Sequence, residues 1–149
     1  MFGHLNHGKV ELDGAVTIVT GEGAEIVEYT AKATIAAGQV VQMNLAGSGA
    51  ARATEVIVGT ATDLAVGIAL EAATTGNPIR VCVGGYIEGV VATGAAGTTG
   101  DRLMVGAAGV VLKQAGAFAA TGTIGGQCFA TQFGTIATGK VSLYWYRRA

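Results

Sequence analysis

Residues 64–91 read LAVGIALEAATTGNPIRVCVGGYIEGVV, and this stretch limits what the chain can fold into. It holds three apolar runs, 64–70, 79–83 and 86–91, each rich in Val and Ile and each of strand length. The gaps between the runs carry Gly, Asn and Pro, the residues that supply turn geometry. Ile79, Val81 and Val83 alternate with Arg80 and Cys82, the period of a strand with one face towards a core and one towards solvent or a neighbour. Gly84-Gly85 separates the last two runs and reads as a hairpin or bulge, because glycine reaches positive φ without steric cost. No stretch of helical period fits here, and the expected class is all-β.

The same pattern recurs from residue 25 onward. Segments 25–30 (EIVEYT), 39–45 (QVVQMNL) and 52–58 read as strands, with turns at 33–38 and 47–49. Beyond the central stretch, 93–100 is a glycine and threonine loop, and 103–105 with 110–113 make a small hairpin about 106–109. Segments 126–132 (GQCFATQ) and 140–147 (KVSLYWYR) are the closing strands. Short strands at such spacing predict a small β-barrel or sandwich. The two halves echo each other: 35–41 is similar to 97–103, and the pair 66–69 and 79–83 to the pair 125–128 and 140–144. Two such halves could close one barrel and so bury edges that either alone would expose. Residues 1–23 stand apart, holding both histidines, several glycines and a single clear apolar alternation at 16–19. They are expected to form an extended arm with one short strand, loosely attached to a domain spanning 24–149.

Composition narrows the function classes. Hydrophobic residues make up 50% of the chain and charged residues 13%, about half the usual charged share of roughly 25%. No apolar run approaches the roughly 18 residues of a membrane helix, so the surplus apolar surface is expected against other protein. A net charge of −1 without a basic block gives no electrostatic case for nucleic acid or an anionic membrane. The opening MFGHLNHGK lacks the charged-then-apolar order of a secretory signal. Cys82 and Cys128 lie inside apolar runs and are expected to be reduced and buried.

Residues 134–140 (GTIATGK) have the spacing of a phosphate-binding loop, but Val141 stands where a Ser or Thr should reach magnesium. A strand pattern follows where that motif needs a helix N-terminus, so a hairpin turn is the expectation. His4 and His7 are three apart with Glu11 and Asp13 nearby, yet a metal site needs three or four convergent ligands, and none is expected. A nucleophilic Cys82 or Cys128 would need a histidine base, and both histidines lie in the arm. Asp63, Glu71, Glu88 and Asp101 are isolated carboxylates that form no acid–base pair. The run 144–148 (YWYRR) is the densest aromatic and basic cluster, and Tyr144, Trp145 and Tyr146 are read as core on one strand face and subunit packing on the other.

Three segments, 33–41 (ATIAAGQVV), 65–69 (AVGIA) and 76–85 (GNPIRVCVGG), give the sequence a resemblance to the capsid decoration, or cement, proteins of tailed bacteriophages. The likeness runs from about residue 25 to the C-terminus and rests on turn and strand pattern; residues 1–23 depart from it. It implies a small β-barrel of the kind called a β-tulip, bound as homotrimers to the major capsid protein on the outer surface of a phage head assembled in the host cytoplasm. It implies no enzymatic activity and no cofactor. Phe2, Leu5 and Val16 are the expected apolar anchors of the arm on the capsid or a neighbour. The alternative expectation is a small β-barrel module for a glycan or host surface, displayed on a virion or secreted, with Tyr29, Tyr86 and Tyr144–Tyr146 as its aromatic platform.

Overall fold

The computed structural model describes residues 9–12, 16–60, 65–92, 99–113, 130–137 and 139–145. Strands dominate, as the alternation of apolar residues requires. In chain order they are β1 (Lys9–Leu12), β2 (Val16–Thr20), β3 (Glu25–Ala31), β4 (Val40–Met43), β5 (Glu55–Val58), β6 (Ala65–Ala69), β7 (Pro78–Val91), β8 (Arg102–Val105), β9 (Val111–Lys113), β10 (Ala130–Ala137) and β11 (Lys140–Trp145). The one α-helical piece among the described residues is a single turn, α1 (Ala51–Thr54).

β7 organises the chain. The Gly84-Gly85 pair does not end a strand: β7 runs unbroken through 14 residues. Its first part pairs with β3 and β6, its second with β11 and β2. At the crossover Gly85 has φ +106, and a Cβ there would sit 2.9 Å from the Ala24 Cα. The glycine pair is therefore a corner at which one strand leaves one sheet for another, accompanied by a register shift in β3 between Glu25 and Ile26.

The first part of β7 closes a small barrel with β6, β4, β5 and β3, the last joint being the parallel pair of β3 and β5. Glu55 braces that joint, with Lys32 Nζ at 3.3 Å and Asn44 Nδ2 donating at 3.0 Å. Ala31, Val41, Val56, Ala69, Ile79 and Val81 fill the interior. Val40, Ile68 and Cys82 point the other way, as strand alternation demands, yet each is fully buried. They share one apolar cluster with Leu103, Val111, Val141, Leu143 and Trp145 from the second half of the chain. Cys82 was expected on a face towards solvent or a neighbour; that neighbour is the chain's own second half.

The second half repeats the first in its pairing. β3 pairs with the start of β7 as the end of β7 pairs with β11. The β4–β5, β4–β6 and β6–β7 pairs recur as β8–β9, β8–β10 and β10–β11. The parallel β3–β5 joint recurs as a bridge between Ala92 and Val111. Even the turn bonds match. Gly38 N donates to Ala69 O and Ala69 N to Gln39 O; likewise Gly100 N donates to Gln132 O and Gln132 N to Asp101 O. Ala31 N donates to Asn77 O, and Ala92 N to Gly139 O. The chain thus holds a duplicated barrel unit with β7 shared between the copies. Its register is other than that of the sequence echo: Ala69 matches Gln132 rather than Cys128, and Cys82 matches Tyr144 rather than Leu143. The halves do not jointly close one barrel, because the first ring closes on itself.

Other boundaries move for local reasons. Segment 52–58 begins as α1, since Ser48, Gly49 and Ala50 carbonyls accept successive turn bonds and only from Glu55 is there a ladder partner. β10 extends to Ala137, so residues 134–137 are strand and the 134–140 motif is a tight hairpin with Gly139 at φ +72. The hairpin expected about 106–109 is present as β8 and β9. The arm is less separate than its composition suggests. β1 and β2 form a hairpin, Val19 and Thr20 pair with Glu88 and Ile87 of β7, and Ile18 is 0% exposed within the core.

Candidate interaction surface

Residues opposite each other in neighbouring strands share a face, so the outer wall of each unit can be read across its strands. On the first unit the row is Ile26, Cys82, Ile68, Val40. On the second, the equivalent row is Tyr86, Tyr144, Thr131, Arg102. The first row is apolar and, apart from Ile26, buried. The second carries aromatic, hydroxyl and charged groups, and Tyr144 is 42% exposed. Beside it runs a second row, Val19, Glu88, Ser142 and Gly134. Tyr86 O–H donates to Glu88 Oε1 at 2.7 Å, which fixes the ring at the junction of the two rows. Burial, reinforced by that carboxylate, raises the Tyr86 pKa and keeps it a phenol at neutral pH. The outcome is a broad sheet face, two tyrosines side by side and acid and guanidinium at its ends.

The residues singled out for chemistry are not brought together into a site. Cys82 Sγ donates to Gly84 O at 3.4 Å beneath the second unit, and burial pushes the thiol up to about 11. Glu71 accepts from Arg80 Nη2 at 2.8 Å, from Arg80 Nε and from the Arg80 backbone N–H, which holds its carboxyl below the usual range. This pair ties the β6–β7 connection to the strand it leads into. No group of three or more His, Cys, Asp or Glu that could hold a metal occurs among the described residues. An open depression of about 330 Å³ lies at one end of the first barrel, lined by Thr34, Ile35, Ala73, Thr74, Asn77 and Pro78. The side-chain bond there, Asn77 Nδ2 to Thr74 Oγ1 at 2.7 Å, is internal to the turn.

Of the residues read as packing surfaces, Tyr144 faces outward and Trp145, 1% exposed, lies in the core. Trp145 therefore has no surface to give a second subunit. Tyr146 lies outside the described residues, as do Phe2, Leu5, His4, His7 and Cys128. Val16 opens β2 opposite Leu12 of β1. Sequence reasoning missed Thr131, Arg102 and Glu88 as neighbours of Tyr144. The internal echo as read from the sequence does not supply the signal, because it sets Cys82 against Leu143 and Ile68 against Gln127, whereas the pairing sets them against Tyr144 and Thr131.

No protein-family model matches the sequence, and no curated protein matches it. Among solved structures the chain is similar to the head fiber gp8.5 N base in bacteriophage phi29. The TM-score is 0.54 at 18% identity, over 83% of this chain and 94% of that one. What the two share is the fold: an all-β chain built on a small closed barrel, of a kind found in a protein of a phage head.

Proposed function

We propose that the chain is a non-enzymatic structural protein of a phage head, a decoration protein that binds the outer surface of the shell as trimers and stabilises it. The likeness to a head fiber base, over 83% of this chain and 94% of that one, is the observation that carries this reading. Its residues agree with it. The surface offers a broad aromatic and polar sheet face, and the buried Cys82 thiol is far from the thiolate that nucleophilic catalysis needs. Tyr, Trp and Arg are the residue types enriched at protein interfaces, and Tyr144 with Arg102 supplies two of them on one wall. A trimer engaging equivalent shell positions gains avidity, because its second and third contacts become intramolecular. The test is the copy number of the protein on purified phage particles, set beside its mass in free solution. Copies matching the icosahedral three-fold and quasi-three-fold positions support the reading. A handful per particle assigns the chain to a vertex or tail instead.

A further inference from the structure

The duplication also marks an opening in the first unit. In the second unit, the start of the β7 second half has β11 on one side and β2 on the other. Gly21 N donates to Tyr86 O at 2.9 Å on the β2 side, so Tyr86 and, by alternation, Glu88 turn their backbone groups towards β2. The counterparts of Tyr86 and Glu88 are Ile26 and Glu28 of β3, which pair with Cys82 and Arg80 as Tyr86 and Glu88 pair with Tyr144 and Ser142. The direction of their backbone groups follows from the same strand. Lys32 N donates to Val56 O on the β5 side and Ala31 N to Asn77 O on the β7 side, so even-numbered residues of β3 face away from β7. β5 first reaches β3 at Thr30. Among the described residues no strand lies beside Ile26 and Glu28, and Ile26 is 39% exposed.

We propose that this edge of β3, at Ile26 and Glu28, receives a strand from a second copy of the chain, supplied by the open edge of β1. The second unit shows the contact in cis: the same position there is filled by β2, antiparallel and over a few residues. β1 continues that same hairpin, and its only partner among the described strands is β2. β1 carries Lys9 and Glu11 and the receiving strand Glu25 and Glu28, so one Lys–Glu pairing is available across the joint. Because donor and acceptor edges differ, the contact is heterologous, and it limits itself to a small assembly only where the rotation between copies closes a ring. It gains affinity from main-chain hydrogen bonds and removes two exposed strand edges per copy.

Glu28→Pro tests this directly. It deletes an N–H that points at the open edge and none that β7 uses, and proline is tolerated at sheet edges. Ile26→Lys is the second variant, placing on the edge a charge of the kind that keeps natural edges unpaired. The full-length protein, free of particles, is measured by sedimentation velocity up to about 100 µM, with thermal melts as the control for folding. The expected result is a wild-type assembly of several 14.8 kDa chains that both variants reduce to the single chain, with melting shifted by no more than about 4 °C, as for a change near 1 kcal/mol. A wild-type monomer throughout overturns the proposal, and so does an assembly that both folded variants leave intact. If the wild type is monomeric and Glu28→Pro still lowers loading onto heads, the edge belongs to the shell protein. Since the mass is read without particles, failure here leaves head binding standing on its own test.

Discussion

Replacing Gly85 by alanine tests whether β7 turns a corner. With φ at +106, any side chain is strained there, at a cost of about 1–3 kcal/mol. The new methyl carbon would lie 2.9 Å from the Ala24 Cα and 3.3 Å from its Cβ, closer than packed carbons tolerate, which adds about 1–3 kcal/mol. Against this, alanine restricts the unfolded chain and returns about 0.4–1 kcal/mol. The net loss is about 1–6 kcal/mol, centred near 3. Gly76 is the control, because its φ is +91 but nothing lies within 4 Å of the added carbon; Gly76→Ala is expected to lose about 1–2 kcal/mol from strain alone. The assay is urea denaturation followed by the fluorescence of Trp145, the only tryptophan and 1% exposed, with far-UV circular dichroism on the same samples. Both probes should show one coincident transition, since the two units share a strand. At about 2–4 °C per kcal/mol, a loss near the centre of that range should lower the melting point by roughly 5–15 °C. Equal losses at positions 85 and 76 would refute the corner, and separate transitions by the two probes would refute the shared-strand coupling.

Three further outcomes follow from the geometry. Arg80→Met removes the group that depresses the Glu71 pKa, so carboxyl NMR titration should show Glu71 moving up towards the ordinary range. Because the native value is lowered, the wild-type pair contributes fully above the unfolded pKa and loses its contribution as pH falls through the native one; the stability gap between wild type and variant should therefore close in acid. Cys82, buried with a thiol raised to about 11, should escape iodoacetamide at pH 8 in the native protein and react in urea, read by mass spectrometry at that site; rapid native labelling would contradict its place beneath the second unit. Tyr144→Ala should change stability by no more than about 0.5 kcal/mol, as exposed positions do, while lowering binding to heads; full binding would remove the tyrosine wall from the interface.

The sequence carried the strands well and their connectivity poorly. Alternation placed Ile79 and Val81 in the barrel interior, and Gly106–Gly109 marked a true hairpin, because side-chain period and turn chemistry are local. Of the two readings of Gly84-Gly85, the hairpin fails and the bulge holds, since Glu25 faces Gly84 while Ile26 faces Cys82. The choice between them was not legible for a physical reason. A glycine pair permits a reversal, a bulge or a corner alike, and only the partners on either side decide which. Cys82 is free and buried, as its apolar run predicted, but what covers it, and what covers Ile18, is a second unit that no local pattern records. Nothing local placed Thr131 and Arg102 beside Tyr144 either, since that row is assembled from separate strands. Phe2, Leu5 and Tyr146 lie outside the described residues, and their roles stay with the sequence reading.

The two units make the candidate surface intelligible in a way that one barrel could not. Gly38 and Gly100 keep positive φ, and each gives its N–H to the matching carbonyl; these requirements are set by the backbone and hold in both copies. The outer wall obeys a different constraint. Where the second unit covers it, the wall is Cys82, Ile68 and Val40, all fully buried, because an uncompensated polar group there would cost about 1–3 kcal/mol. Where the described chain leaves Tyr144 uncovered, the equivalent positions are Tyr144, Thr131 and Arg102, which tolerate water and can still pack against protein. The same backbone thus carries a dry wall and a wet one. The exchange of Cys82 for Tyr144 at matched register marks that difference most plainly, a buried thiol in one wall and a 42% exposed phenol in the other.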